Sequence, residues 1–326
     1  MSPASLLGLF NAHLEQLAYA REPQNLYAPV RYVLSMGGKR LRPVLMLMAY
    51  DLYRPDAERI LDAAAGIEIY HNFTLLHDDL MDRAEVRRGR QCVHLRWNDN
   101  TAILSGDAML SLAYDYMGRC DDRHLRPVMD TFTRTSIEIA EGQQYDMDFE
   151  QRSDVTVPEY IEMIRLKTSV LLACSLKIGA LLADAPADDV EHLYRMGERL
   201  GLAFQLHDDY LDVWGDPAVF GKKNGGDILC NKKTFLFIEA LKRAQGKQLA
   251  ELQRWFATDD TSAPFAAEKI AAVTRIYEEL AMPQVCRDEE DRHYAEALRH
   301  LEALSISDEK KSVLRDYMDG MMNRVV

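Results

Sequence analysis

Two short runs of the chain share one design. His77-Asp78-Asp79 is followed by Asp82, and His207-Asp208-Asp209 is followed by Asp212. Apolar residues precede each run, Phe73, Leu75 and Leu76 in one case and Leu202, Phe204 and Leu206 in the other. On a helix the outer aspartates of each run stack one turn apart on one face, with the middle one about 100° around the axis. Three ionised carboxylates so placed repel one another, and a nearby helix C-terminus adds to the repulsion. A cation must compensate. Hard oxygen ligands select Mg²⁺, which keeps several waters and bridges one or two carboxylates to substrate phosphates. Two such clusters facing each other would hold a diphosphate between several Mg²⁺ ions. The pairs Asp121-Asp122, Asp188-Asp189 and Asp259-Asp260 lack the third aspartate and read as surface charge.

Cationic and polar side chains accompany the clusters: Lys39 and Arg42, His71, Arg87-Arg88, Gln143 and Asp146, Lys167-Thr168, Gln205, Lys222 and Lys232. Taken singly each has an ordinary reading. Lys39 and Arg42 are charges at a helix start, Arg87-Arg88 a surface pair, His71 a core histidine, and Lys222 and Lys232 solvated loop lysines. Their occurrence together, around two acidic clusters, points instead to a site for phosphate esters.

The elements that must position these groups are helices. Apolar residues recur at three- and four-residue spacing, with no alternating strand pattern. The periodicity predicts helices over residues 4–20, 27–35, 43–53, 56–82, 101–116, 126–148, 158–184, 187–214, 233–243, 264–279, 283–301 and 308–321. Gly37-Gly38 closes one helix, and the glycines before Ile228 mark a long polar loop. No Ser/Gly/Pro-rich linker divides the chain, so residues 1–326 read as one all-α domain with long central helices.

Composition excludes some classes. The net charge of −13 makes the chain a poor nucleic-acid or membrane-surface partner. Cys92, Cys120, Cys174, Cys230 and Cys286 are scattered and odd in number, which suits reduced thiols in a cytoplasm. The first residues have neither a basic region nor a long apolar stretch of a signal peptide, and the most apolar segment, Ser169 to Ala183, is broken by Lys177. Stable membrane insertion is not expected.

Read together, the motifs resemble those of the trans-isoprenyl diphosphate synthases of the farnesyl/geranylgeranyl class. The resemblance is carried by Gly37-Gly38-Lys39-Arg40-Leu41-Arg42-Pro43, by His77-Asp78-Asp79-Leu80-Met81-Asp82 with Arg87-Arg88-Gly89, and by Gly142-Gln143 with Asp146. It continues through Lys167-Thr168, Phe204-Gln205-Leu206-His207-Asp208-Asp209-Tyr210-Leu211-Asp212, Gly221-Lys222, Gly226-Asp227-Ile228 and Asn231-Lys232-Lys233-Thr234. It implies an isoprenoid-synthase fold, an orthogonal bundle of long helices around a deep central cavity, working as a homodimer. It also implies Mg²⁺-dependent condensation of isopentenyl diphosphate with an allylic diphosphate: dimethylallyl, geranyl or farnesyl.

That reaction asks opposite things of two similar anions. The allylic diphosphate must leave, whereas isopentenyl diphosphate must be held with its C–O bond intact. Metal ions at one and plain cations at the other make the distinction. By resemblance, Asp78, Asp82 and Asp208 lead the Mg²⁺ ligands, with Asp79, Asp209 and Asp212 in support and three ions per site. Arg87, Gln143, Lys167, Lys222 and Lys232 contact the allylic diphosphate, and Asp146 orients them. Lys39, Arg42, His71 and Arg88 form the metal-free site. Lys167, Thr168 and Gln205 face the carbocation, and Lys167, Thr168, Gln205, Lys222 and Arg87 make up the catalytic set. The released pyrophosphate takes the proton.

Product length in such enzymes depends on what floors the apolar pocket below the first cluster. Phe73 lies five residues before Asp78, about 7.5 Å along the helix, with the small Thr74 beside it. One aromatic there, without two extra residues inside the motif, resembles the geranylgeranyl synthases and implies a C20 product. Farnesyl diphosphate is the alternative. A non-catalytic subunit of a heteromeric synthase is a second, although such subunits usually lose one acidic cluster. A terpene cyclase would not need Lys39, Arg42 and Arg88, and a di-iron bundle would need a second partner for the single Glu290-x-x-His293 spacing.

Overall fold

The structure, a computed structural model, describes residues 1–17, 21–216, 224–258, 260 and 262–323. It is a helical assembly. Its first half runs α1 (Pro3–Gln16), α2 (Gln24–Leu34), α3 (Leu41–Asp51), a 3₁₀ turn (Ala57–Ile60), α4 (Leu61–Met81), α5 (Val93–Arg96), α6 (Asp99–Met117) and α7 (Asp122–Glu150). Then come α8 (Val157–Ile164), a π-turn (Arg165–Ser169), α9 (Val170–Leu182), α10 (Ala187–Trp214), α11 (Gly226–Leu229), α12 (Phe235–Arg243), α13 (Gly246–Phe256), α14 (Ala263–Glu279), α15 (Met282–Glu302) and α16 (Asp308–Met322).

Local chemistry sets several boundaries. The Asn98 side chain accepts from Thr101 N–H at 2.8 Å and starts α6. A capping box of Thr156 and Glu159 starts α8. The long helices bury two apolar clusters. One gathers α1 to α4, α6, α7, α9 and α16 around residues such as Phe10, Leu45, Ile67 and Phe132. The other gathers Phe149, Tyr160, Leu206, Phe235, Trp255 and Tyr277. Helices α7 and α10 run through both, with Val128 and Leu200 in the first and Phe149 and Leu206 in the second.

Several expectations are corrected. The helix expected over 158–184 is broken by the π-turn at Arg165–Ser169. The segment expected as helix from residue 56 begins as a 3₁₀ turn. Helix α13 lies outside the expected helices, although Leu249, Leu252, Trp255 and Phe256 recur in it at helical spacing. A small hairpin, β1 (Val86–Arg87) and β2 (Arg90–Gln91), also interrupts the helices. Arg88 and Gly89 form its turn with φ of 52° and 73°, the left-handed pair whose twist matches a two-residue hairpin. Asp189 is not surface charge. It is buried at the start of α10 and accepts from Tyr53 Oη at 2.8 Å and from Ser305 N and Oγ at 2.9 and 2.7 Å.

Candidate active site

The first aspartate cluster ends α4. Asp79 is buried and accepts from Arg87 Nε and Nη2 at 2.9 and 2.5 Å, while Arg87 Nη2 lies 3.6 Å from Asp78. Arg87 comes from strand β1 of the hairpin. Asp82 caps the helix, its N–H bonded to Asp78 O at 2.8 Å. Partial burial, and then the Asp78 charge, push the Asp82 carboxyl above the ordinary carboxylate range, which is the repulsion implied by the spacing. His77 packs over Gly106, where a Cβ would meet its Nε2 at 2.1 Å, and contacts Ile103 O at 3.2 Å.

The second cluster lies near the end of α10. Asp209 is buried, accepts from Tyr160 Oη, and takes Gln205 Nε2 at 3.2 Å. Burial first, then the charge of Asp227, push the Asp209 carboxyl up to about 8. Asp212 Oδ2 accepts from Asp227 N–H at 3.0 Å, and its carbonyl from Gly225 N–H at 2.6 Å. Asp208 is half-buried between Asp209 and His207, whose Nδ1 lies 3.1 Å from Glu290.

The π-turn joins the two clusters. Lys167 Nζ is 3.3 Å from Asp78 Oδ1 and 2.7 Å from Asp146 Oδ2. The next residue, Thr168, donates to Gln205 Oε1 at 3.1 Å, and Gln205 donates on to Asp209. A π-turn lets adjacent side chains aim at both clusters, a use for which such distortions are common. Gly142 and Gly201 make it possible. A Cβ on Gly142 would meet Lys167 N at 2.4 Å, and one on Gly201 would meet Ser169 Cα at 2.5 Å. Lys232 lies 3.6 Å from Asp146 and feels the charges of Asp146, Asp82, Asp227 and Asp78, so it stands near the first cluster and near Asp227. Burial opposes the Lys167 charge, but Asp78 and Asp146 outweigh it and hold the ammonium above its ordinary value.

These groups line a cavity of about 130 Å³ walled by Asp146, Tyr160, Lys167, Thr168, Gln205, Asp209, Asp227 and Lys232. Lys222 lies outside the described residues. The donor set suits a hard divalent cation. Asp78 Oδ1 is buried and accepts no hydrogen bond, with the Lys167 ammonium 3.3 Å away as its ion-pair partner. Among the described residues no three His, Cys, Asp or Glu side chains form a ready-made ligand set. An ion here must complete its shell with water and substrate oxygens, as Mg²⁺ does.

A second cavity, of about 390 Å³, is walled by Gly38, Lys39, Arg40, Arg42, Glu68, His71 and Arg88. Arg42 Nη1 stands 3.2 Å from His71 Nε2. Arginine can only donate, so His71 accepts through Nε2 as a neutral ring. Burial, and then Arg42 and Arg88, hold His71 well below its ordinary value, and burial lowers Arg42 to about 10. Arg42 Nε is buried without a partner. Arg88 donates to Gly37 O and stacks where a Cβ on Gly38 would fall, 2.8 Å from its Cζ. Arg40 is different. It is buried in the left-handed region at φ 51°, binds Glu68 and donates to Leu34 O at 2.9 Å, so it shapes the loop.

Phe73 meets Tyr70 and His77 edge-on at centroid distances of 5.5 and 4.8 Å, and Tyr70 leads on to Phe132 at 5.2 Å. Thr74 turns its hydroxyl back to His71 O at 2.8 Å. Tyr160 and Asp227 were not singled out from sequence as contacts of the clusters. A hydroxyl 49 residues from its partner leaves no local signal.

Residues 23–275 match the polyprenyl synthetase family. The chain belongs to that family. A geranylgeranyl diphosphate synthase of Methanosarcina mazei is 41% identical over 235 residues, 72% of each chain. The crystal structure of a geranylgeranyl pyrophosphate synthase superposes with a TM-score of 0.94 at 43% identity, covering 99% of both chains. A geranylgeranyl pyrophosphate synthase from Corynebacterium glutamicum, complexed with isoprenyl diphosphate and magnesium, superposes with a TM-score of 0.83 at 27% identity, covering 99% of this chain and 97% of that one. This polyprenyl synthetase is therefore a trans-prenyltransferase with the all-α isoprenoid synthase fold, from a family that depends on Mg²⁺. No described helix of the polyprenyl synthetase is long and apolar enough to cross a membrane.

Proposed function

We propose that this polyprenyl synthetase condenses isopentenyl diphosphate stepwise onto allylic diphosphates and ends at geranylgeranyl diphosphate. The observation that supports the reading is the continuous chain of contacts from Asp78 through Lys167 and Thr168 to Gln205 and Asp209, which links a carboxylate of one acidic cluster to a carboxylate of the other. The names of the similar proteins and the single aromatic at Phe73 support the C20 product.

In this reading Asp78, Asp82, Asp208 and Asp212 present oxygens to three Mg²⁺ ions. Bound there, the metal would stabilise charge developing on the departing diphosphate. Asp79 and Asp209 hold the clusters in place through Arg87 and Tyr160. Arg87, Gln143, Lys167, Lys222 and Lys232 grip the allylic diphosphate, with Asp146 fixing the two lysines 167 and 232. Thr168 and Gln205 turn oxygen dipoles toward the allylic carbon as the cation forms, and the enclosing side chains exclude water that would trap it. Lys39, Arg42 and Arg88 hold isopentenyl diphosphate without metal, and neutral His71 keeps Arg42 aimed.

One synthase domain over residues 1–326 is supported by α7 and α10, each of which belongs to both apolar clusters. A cytoplasmic homodimer is part of the proposal. Exposed Ile103 and Leu104 on α6, with Leu125, Ile137, Tyr145 and Met147 on α7, offer the apolar area a second copy would cover. The test is incubation with labelled isopentenyl diphosphate and each allylic primer, followed by product sizing. C20 as the terminal product is expected. No incorporation overturns the reading, and a terminal C15 product overturns the chain length.

A further inference from the structure

Lys269, on α14, is fully buried. The Phe256 ring centroid lies 5.5 Å from its Nζ. Burying an ammonium is costly unless it is paired and hydrogen-bonded. Its retention points to what it holds. Lys269 Nζ donates to Asn231 Oδ1 at 2.6 Å and to Thr258 O at 3.3 Å. Asn231 sits in the left-handed region at φ 54°, which asparagine tolerates better than most residues. Its amide donates to Thr258 O at 3.2 Å, and its carbonyl accepts from Lys233 Nζ at 2.9 Å. Both the side chain and the backbone of Asn231 are thus tied down. The next residue is Lys232, whose N–H bonds Asp227 O at 3.0 Å and whose ammonium faces Asp146.

The neighbouring residue on α14 does the same at the other end of the segment. Ile270 covers Gly225, where a Cβ would meet Ile270 Cγ1 at 2.7 Å and where φ is +84°. Gly225 and Asp227 both donate backbone N–H groups to Asp212. Two consecutive residues of one helix therefore touch both ends of residues 225–232. One end is bonded to the second aspartate cluster, and the other aims Lys232. Among the described residues none of α14 lines either cavity.

We infer that Lys269 and Ile270 form a brace that sets residues 225–232 against the second aspartate cluster, making Lys269 a positioning residue for the allylic diphosphate. The inference rests on the proposed role of Lys232 in gripping that diphosphate.

The test compares Lys269→Met, Asn231→Gly, their double variant, Ile270→Ala and Lys232→Ala in the full-length enzyme. Each substrate is varied in steady-state kinetics beside thermal unfolding. Lys269→Met raises KM for the allylic diphosphate about tenfold and leaves KM for isopentenyl diphosphate within about twofold. Asn231→Gly does the same, and the double variant is no worse than either single one, because the lysine acts through the asparagine. A Lys269→Met enzyme with unchanged allylic KM, both KM values rising together with a fall in Tm, or additive effects in the double variant overturn the brace. If Lys269→Met does not fold, an unchanged allylic KM in Asn231→Gly and Ile270→Ala overturns it. An allylic KM raised by Lys232→Ala but not by the brace variants overturns the brace alone. An allylic KM that Lys232→Ala leaves unchanged overturns the site reading and the brace with it.

Discussion

Gly142 of α7 lies so close to Lys167 that a Cβ built on it would meet the Lys167 backbone nitrogen at 2.4 Å. That contact lets the π-turn bring the Lys167 ammonium to Asp146 and Asp78. Gly142→Ala must push the turn away, because the opposing atoms are backbone and cannot swing aside. Overpacking of this kind costs about 1–3 kcal/mol. The expected result is a lower Tm and a kcat reduced about tenfold or more, equivalent to roughly 1.4 kcal/mol of barrier. Retention of wild-type kcat would separate the helix approach from the chemistry.

Asp78→Asn and Asp208→Asn remove charge without changing shape. Turnover should fall about a hundredfold or more, the range seen when a group stabilising developing charge is lost. Circular dichroism should keep the helical signature in both. The rate of each variant should also respond less to added Mg²⁺ than that of the parent enzyme. Full activity in either removes that residue from the proposed metal set.

Phe73→Ala should lengthen the product by one or more five-carbon units, read by chromatography of the dephosphorylated alcohols. Phe73 is only half-buried, and Tyr70 and Phe132 stand behind it. If the ring floors the pocket, its removal would deepen that floor while Tyr70 and Phe132 keep the core filled. An unaltered product distribution would show that the floor lies elsewhere.

Asp189 tests a structural role. Burial would raise its carboxyl, but the hydrogen bonds from Ser305, and then that from Tyr53, overcome it and hold the group below its ordinary 3.8. A carboxyl depressed in the folded state contributes stability that is complete above the unfolded value and is lost as pH falls through the folded one. Asp189→Asn should lower stability at pH 7 by about 1–3 kcal/mol, the cost of disturbing a buried hydrogen-bonded group. The gap between variant and parent should narrow as the pH falls below the ordinary 3.8 and close below the depressed folded value. Thermal unfolding at neutral and acid pH measures both, and a gap independent of pH would contradict the assignment.

Much of the site can be read from residue types at fixed spacing. The repeated His-Asp-Asp runs, the cations around Lys39 and Arg88, and the Lys167-Thr168 pair all stand out along the chain. Periodicity also places helix α10 at its observed bounds, Ala187–Trp214, because its apolar stripe is long and regular. It misplaces what depends on neighbours. The break at Arg165–Ser169 lies in a strongly helical stretch, where the reason for it is on α7 and α10, not in the segment itself. Asp188-Asp189 looks like any exposed acidic pair until Ser305 and Tyr53 close over the second carboxylate.

The linear chain determined the chemistry on offer: two triads of hard oxygen donors, a set of phosphate-binding cations and helices to carry them. Those properties are local, set by side-chain type and by the 3.6-residue turn. Tertiary structure decided the division of labour among like residues. Arg87 engages Asp79, Tyr160 engages Asp209, and Asp78 keeps a buried oxygen without a hydrogen bond. The physical reason is that the charge state and availability of a carboxylate depend on burial and on hydrogen-bond partners distant in sequence, which no local pattern encodes.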